Sequence, residues 1–511
     1  AVPARRLRYR QNGATQGSNR EEIPMSKRWL IAMIAALALI VAACGGDTAT
    51  TTTEATGTTE APGTTAGEET PTTTGEAPGE STGYEHLDQA LAGDFEGTTV
   101  DIWAQWLPES SEAANFTYTL EPFQEATGIT VNFQPTPDYE TALQVAVDGG
   151  NAPDLAQIAQ PGKMHQYADA GSLVGLSDWL NTEKLSADMV PAFYELGTYN
   201  DTLYGVYYKA DVKSIVWYPV QAFADAGYEV PTTWDELVAL SDQIIADGNG
   251  NPWCISIESQ EADGWVATDW MEDILLRTAP PETYNQWITH EIPFNDPEVL
   301  EAADYMSQIW FTPDYAYGGN TYINATWIGE AQDPMFNPDG PDCWMQKQAA
   351  WIGGFWGANR DALADDPNLP ASEWPNKPET DVDFFYFPQI EEEFGTPVLG
   401  AADMFVMFND RPEVRALLEW LGTPEAAEGW IERGGFLSTL TTVPEDWYVY
   451  PNNQLAPMVA EATTLGFDAS DLMPAEVGVG SFWSGMVDWV AANGEGTEEI
   501  FQSIEDSWPT G

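Results

Sequence analysis

Carboxylates are the most abundant chemical groups in this 511-residue chain, which carries 81 Asp+Glu against 18 Lys+Arg for a formal net charge of −63. Glycoside hydrolysis needs two carboxyl groups about 5 to 9.5 Å apart, one of them with a raised pKa. With so many acids, coincidental pairs are unavoidable and carry no weight. The chain contains no His-Glu-x-x-His, Gly-x-Ser-x-Gly or Gly-x-x-x-x-Gly-Lys-Ser/Thr motif, and only His86, His165 and His290 could serve as base or imidazole ligand. One stretch imitates a calcium loop: Asp247-Gly-Asn249-Gly-Asn251-Pro252 with Glu258 at the twelfth position. Pro252 stands where that loop needs Gly for its sharp turn, so the competing reading is a helix-to-strand turn. The residues point to no cofactor and no metal. A nucleic-acid binder is excluded, because phosphate recognition needs a cationic face.

The chain is 43% hydrophobic and includes 22 Trp, 20 Tyr and 20 Phe, which is too apolar for a disordered acidic protein. Its charge is uneven. Residues 1–43 hold seven basic and two acidic residues, leaving 11 against 79 for residues 44–511. A surface of this kind stays soluble by self-repulsion and suits a salty exterior, where screening acts over about 8 Å or less.

Met25-Ser-Lys27-Arg28 and the apolar run Trp29 to Ala43 have the charged start and short hydrophobic stretch of a secretory signal, and 15 residues are too few for a spanning helix, which needs about 20. The run ends in Val41-Ala42-Ala43-Cys44-Gly45, which resembles the lipobox of bacterial lipoproteins. That resemblance implies cleavage before Cys44 and acylation of its thiol and new amino group. Residues 1–24 precede the start Met and read as an upstream extension, and 25–43 as the signal peptide. Residues 44–83, rich in Thr, Glu, Gly, Ala and Pro, offer almost nothing to bury and read as a flexible tether.

The remaining two cysteines, Cys254 and Cys343, are an even pair. Outside the cytoplasm such a pair usually forms a disulfide, with a buried free pair as the alternative.

From Thr98 the pattern alternates strand and helix. Val100-Asp-Ile102-Trp103 reads as a strand, Phe116, Leu120 and Phe123 as a helix face stopped by Gly128, and Ile129 to Phe133 as a strand. Tyr139 to Val147 follows as a helix and Asp154 to Ile158 as a third strand. This order implies an α/β fold with a parallel sheet whose ligands lie beyond the carboxyl ends of the strands. The loops after Trp103 and Ile158 thus gain interest, and they carry Trp106, Glu109, Gln157 and Gln160. Tyr204 to Tyr208 and Ser214 to Tyr218 read as the two ends of one long strand, and Thr233 as a helix cap.

The succession Ile102-Trp103, Phe123-Gln-Glu-Ala-Thr-Gly128, Gly149-Gly-Asn-Ala-Pro153-Asp154, Tyr204-Gly-Val-Tyr-Tyr208 and Thr423-Pro-Glu-Ala-Ala-Glu-Gly-Trp430 resembles the extracellular solute-binding proteins of sugar ABC transporters. The likeness is to the maltose-binding type, and Gly264-Trp265…Thr268-Asp269-Trp270 places it near the α-glucoside-like branch. It covers residues 98–511. It implies two α/β lobes, 84–208 plus 396–455 and 209–395 plus 456–511, joined by strands near 207–210, 396–401 and 445–457 and closing on one sugar. It further implies a lipid-anchored extracytoplasmic monomer, not an enzyme, that captures a carbohydrate, a glucoside or oligosaccharide, and delivers it to permease subunits. Alternatives are a secreted carbohydrate-active hydrolase and a ligand-sensing partner of a membrane receptor.

Sugar recognition needs flat apolar faces for ring C–H surfaces and planar amides or carboxylates for hydroxyls. On the first lobe Trp106, Glu109, Gln157, Gln160, Tyr208 and Asp403 are positioned for this, and on the second Glu258, Trp265, Asp269 and Trp270. The resemblance adds Trp356 in Gly353-Gly-Phe-Trp356 and Trp483 as stacking residues, while Leu107-Pro108-Glu109 replaces the family's charged Asp-Lys pair and leaves the sugar open. For the anchor, the native protein should partition into detergent, and Cys44→Ser should abolish acyl labelling. Partitioning that survives the substitution unchanged would assign the anchor to an uncleaved helix.

Overall fold

A computed structural model describes residues 81–509 apart from Glu109, Pro137 and Asn368. The signal, Cys44 and all but the last residues of the tether lie outside the described residues, as does Glu109. Strand β1 (Thr99–Ala104) leads to α1 (Ser111–Thr127), whose first turn is capped by Ser110 Oγ accepting from Ala113 N. Gly128 ends α1 at φ 68°, a left-handed conformation that only glycine adopts without cost. Then come β2 (Thr130–Pro135), α2 (Tyr139–Asp148) and β3 (Leu155–Ile158), close to the ranges that periodicity indicates, and α3 (Pro161–Asp169).

The sequence-predicted single strand over 204–218 is two strands in two sheets. β4 (Gly205–Val212) ends at Val212, Lys213 and Ser214 form the crossing, and β5 (Ile215–Pro219) begins the second sheet. A continuous apolar run carries no mark of where its hydrogen-bond partners change, so the break is invisible in the pattern. Next come α4 (Trp234–Asp247), β6 (Asn251–Trp253), α5 (Trp265–Thr278), β7 (Cys343–Lys347), β8 (Val382–Tyr386), β9 (Val398–Met407), β10 (Leu437–Ser438), β11 (Leu465–Phe467) and α6 (Trp483–Ala491).

The first sheet has the order β10-β4-β9-β3-β1-β2, with β11 also on β9, and the second β8-β5-β7-β6. β1 lies parallel to β2 and β3, whereas β9 runs antiparallel to both β3 and β4, because it returns from the other sheet. The change of sheet falls at 213–214 and not at 207–210, since Val212 still pairs with Gly400 of β9. The connection expected as a strand over 445–457 is a short 3₁₀ turn, Glu445–Trp447, followed by a helix, Asn452–Glu461.

Two apolar cores form. One packs Val100, Ile102, Phe116, Leu155 and Phe405 around the first sheet, and the other packs Val216, Trp253, Trp270, Ile274 and Met345 around the second. Trp327 and Trp351 pack against both. The calcium-like stretch is a helix-to-strand turn: α4, opened by a Thr233–Glu236 capping box, ends at Gly248 with φ 72°. Asn249 and Asn251 donate to Tyr228 Oη and the Asp314 carbonyl, at 2.6 Å each.

Cys254 and Cys343 are bonded to each other, their Cα atoms 5.4 Å apart, beside the edge pair β6–β7. Closing an 89-residue separation restricts the unfolded chain. Replacing both cysteines by Ser should therefore lower unfolding free energy by about 2 to 4 kcal/mol in urea titrations at constant m. An unchanged midpoint would show that the bond adds nothing to the fold.

Candidate functional site

A cavity of about 250 Å³ lies between the two sheets. Its first wall comes from the first sheet: Trp106 follows β1, Gln160 follows β3, and Lys209 and Asp403 lie within β4 and β9. A register shift between Asp403 and Met404 sets Asp403 opposite Lys209, since the bulge turns one side chain toward the cavity. Lys209 Nζ reaches Asp211 at 2.5 Å, Glu112 at 3.3 Å and Asp403 at 3.8 Å. Burial alone would lower the Lys209 pKa, but Asp211, Glu112 and Asp403 outweigh it and hold the ammonium well above its usual range. Burial pushes Asp403 up to about 7 against the pull of Lys209.

The second wall is aromatic. Trp265, Trp327, Trp351 and Phe355 line it, with Trp265 and Trp351 rings 6.1 Å apart and Phe355 edge-on to both Trp327 and Trp351 at 5.4 Å. Trp265, Trp327 and Trp351 are half-buried, so each keeps an accessible face or edge. Trp265 opens α5 after Gly264, whose φ is 105° and where a Cβ would sit 2.2 Å from the Trp483 carbonyl oxygen. Only glycine permits that approach, and it brings Trp265 beside Trp483. A π-helical turn, Glu476–Phe482, delivers Trp483 to the cavity, where its Nε1 donates to Ser470 Oγ at 3.1 Å.

The floor between the walls is the crossing itself. Lys213 Nζ donates to Asp269 at 2.7 Å and to Asp468 at 2.6 Å, and lies 5.3 Å from the Trp265 ring centroid. Burial pushes Asp269 up to about 7, opposed by Lys213. Asp468 stays below the usual carboxylate range, because Lys213, Ser470 and the Asp471 N–H outweigh its burial. Oxygens of Asp269, Glu272 and Asp468 lie within 4.8 Å of one another, a spacing a cation could use. The Lys213 ammonium already supplies that positive charge, and Glu272 accepts from the N–H groups of Ala469 and Ser470.

Of the residues singled out from the sequence, Trp106, Gln160, Trp265, Asp403 and Trp483 line the cavity. Gln157 lies one layer behind, fully buried, donating to Asp403 Oδ1 at 2.7 Å and accepting from Gln105 N at 3.0 Å. Asp269 is also behind the wall, holding Lys213. Glu258 is half-buried away from the lining, and its Oε1 accepts from Gln260 N at 3.1 Å. Tyr208 is a core residue whose hydroxyl donates to the Ala426 carbonyl at 2.8 Å. Trp270 is sealed edge-on against Trp253 and Trp310. Trp356 is fully buried and packs edge-on on Trp217 at 5.1 Å, so it has no free face for a ring. Five residues earlier in the same Gly-rich segment, Trp351 takes the exposed place. Sequence reasoning missed Trp351, Trp327, Lys213 and Asp471; the only signal for Lys213 is its place after the apolar strand.

Among the described residues no helix is long and apolar enough to cross a membrane. The chain is 41% identical over 420 residues to an osmoprotective compounds-binding protein of Synechocystis, covering 82% of this chain and 94% of that one. It is 36% identical over 447 residues to an alpha-glucosides-binding periplasmic protein of Rhizobium meliloti, covering 84% and 92%. In fold it is similar to the bacterial solute receptor AcbH, with a TM-score of 0.65 at 17% identity over 80% of this chain and 97% of the other. A chitin oligosaccharide binding protein gives 0.65 at 18%, over 80% and 97%. The architecture is the two-lobed one of these binding proteins. A family model described as bacterial extracellular solute-binding protein matches residues 107–428, and the chain belongs to that family.

Proposed function

We propose that this protein is the extracytoplasmic, substrate-binding component of a carbohydrate ABC importer, anchored through a lipidated Cys44, which captures a glucoside or short oligosaccharide between its lobes and hands it to permease subunits. The observation that carries this reading is the cavity: an aromatic wall of Trp265, Trp327 and Trp351 facing a polar wall of Gln160, Lys209 and Asp403. A sugar ring has the matching two-sidedness, with apolar C–H faces and an equatorial rim of hydroxyls. At about 250 Å³ the cavity is near the lower end of ligand sites, which run from about 300 Å³ upward, and this favours a short ligand. The relatives named for alpha-glucosides and osmoprotective compounds support the same class. The lobes would be close to 84–208 plus 396–455 and 209–395 plus 456–511, with the first boundary moved to the change of sheet at 213–214.

In this reading Trp265, Trp351 and Trp483 form the platform, Trp106 closes its far end, and Asp403, Asp468 and Asp471 accept from hydroxyls. Lys209 and Lys213 keep those carboxylates in place and donate to ring or hydroxyl oxygens. Gln157, Asp269 and Glu258 act from behind. Glu109 remains a candidate on the loop after β1. Such a site favours the ground state of its ligand and needs no transition-state complementarity.

A thermal-shift screen over neutral mono- and disaccharides should find ligands, since binding adds RT ln(1 + [L]/Kd) to stability. For the best of them, Trp265→Ala or Trp351→Ala should weaken affinity by about 10-fold to 150-fold, from about 1 to 3 kcal/mol of lost apolar contact. Trp356→Ala should instead lower stability by about 3 to 5 kcal/mol through a core cavity and leave affinity per folded molecule unchanged. Calorimetry on the folded variants separates the two. The sugar should return unaltered after prolonged incubation; hydrolysed product lost on removing one carboxylate would overturn the transport reading in favour of a hydrolase.

A further inference from the structure

Helix α2 begins without a cap of its own. Asp138, at its N-cap, has φ 49° and accepts no hydrogen bond through its side chain, which leaves N–H groups of the first turn open. One of them is satisfied from the opposite wall of the cavity: Thr141 N donates to Glu261 Oε1 at 3.2 Å. Glu261 lies in the 3₁₀ turn Gln260–Ala262 just before α5, on the side of the second sheet, whereas α2 connects β2 and β3 of the first. Glu140 and Glu261 both line the cavity. A carboxylate of one wall thus caps a helix of the other, where the positive helix end favours it.

The cap has a conflict built in, since a second carboxyl, that of Glu140, faces Glu261. The other groups around Glu140 are few. On α3, Lys163 pulls on it and Tyr167 lies near it, while Tyr139 adjoins it on α2. Lys163 is itself shared with Asp148, Glu476 and Glu261, and its Nζ donates to Gln144 at 2.8 Å.

We propose that Glu261 is a positioning residue that latches the cleft by capping α2 from across it, and that Glu140 makes the latch proton-dependent, because two carboxyls in contact must share one proton. Burial, then the contact with Glu261, pushes Glu140 up to about 7 in this arrangement. With the walls apart Glu140 returns to the ordinary range of an exposed carboxylate. Closure therefore takes up a proton: it is favoured below about pH 7 and loses that support as pH rises through 7. Glu261 is largely exposed, so screening limits the effect to about 3-fold to 10-fold in the closing equilibrium between pH 6 and 8. The proposal requires only that the two walls move relative to each other and does not depend on which ligand binds.

The test uses ligand-free, full-length protein and amide hydrogen exchange read at Thr141, corrected for the intrinsic pH dependence of exchange. Protection should fall about 3-fold to 10-fold from pH 6 to pH 8. Glu261→Ala should remove it at both pH values with the melting temperature nearly unchanged. Glu140→Gln should keep it at pH 8, because its amide donates to Glu261 as the protonated acid does. Unchanged Thr141 exchange in Glu261→Ala would overturn the latch, and so would a uniform loss across α2 and β3, which marks a merely structural role. A pH dependence that persists in Glu140→Gln would overturn the proton link and assign it to Asp403 or Asp269, whose carboxyls burial also pushes up to about 7.

Discussion

The ammonium of Lys213 lies at the point where the chain leaves one sheet for the other, held between Asp269 of α5 and Asp468 of the segment that follows β11. Next to it Ser214 Oγ donates to Asp273 and accepts from Leu399 N, tying the crossing to α5 and to the return strand β9. Three separate stretches of chain converge on these two side chains. Burying the charges is costly in itself, and removing one partner would leave an unpaired buried ion, typically a loss of about 3 to 5 kcal/mol. The arrangement is thus a constraint more than a source of stability: it dictates where α5 starts, and so where Trp265 and Trp483 meet the cavity.

The same logic runs through the rest of the charge distribution. Residues 44–511 contain eleven Lys and Arg, and among them Lys184, Lys209, Lys213, Arg277, Lys347, Arg360, Arg411 and Arg415 sit in ion pairs. Lys209, Arg277 and Lys347 are almost completely buried. Lys209, Lys213, Arg277 and Lys347 are spent on carboxylates that have left water, whereas Lys184, Arg360, Arg411 and Arg415 pair nearer the surface. Lys209 and Lys213 are therefore both structural counter-ions and cationic donors lining the cavity.

Aromatic residues divide in a parallel way. Trp217, Trp253, Trp270 and Trp356 are sealed against one another or their neighbours, whereas Trp327 and Trp351, packed against both cores, and Trp265, packed against the second, remain half-exposed at the cavity. Having both kinds explains how a chain with 22 Trp stabilises two cores and still presents an aromatic face to a ligand.

Local information in the sequence was enough for β1 to β3, for the Thr233 cap, for the Gly128 stop and for the pairing of two cysteines, because periodicity, capping chemistry and cysteine count act over a few residues or need no geometry. It was also enough to bring Trp106, Gln160, Trp265, Asp403 and Trp483 together, since loops beyond strand ends and the family's pattern point to one cleft. What the tertiary structure alone decided is which of several chemically equal residues faces that cleft. Trp351 and Trp356 share one short Gly-rich segment, yet one is half-exposed and the other sealed on Trp217. Asp269 and Asp468 both hold Lys213, yet only Asp468 also lines the cavity, and Gln157 supports Asp403 from behind. Side-chain burial is set by what distant segments pack against it, and no spacing within a single strand or helix encodes that.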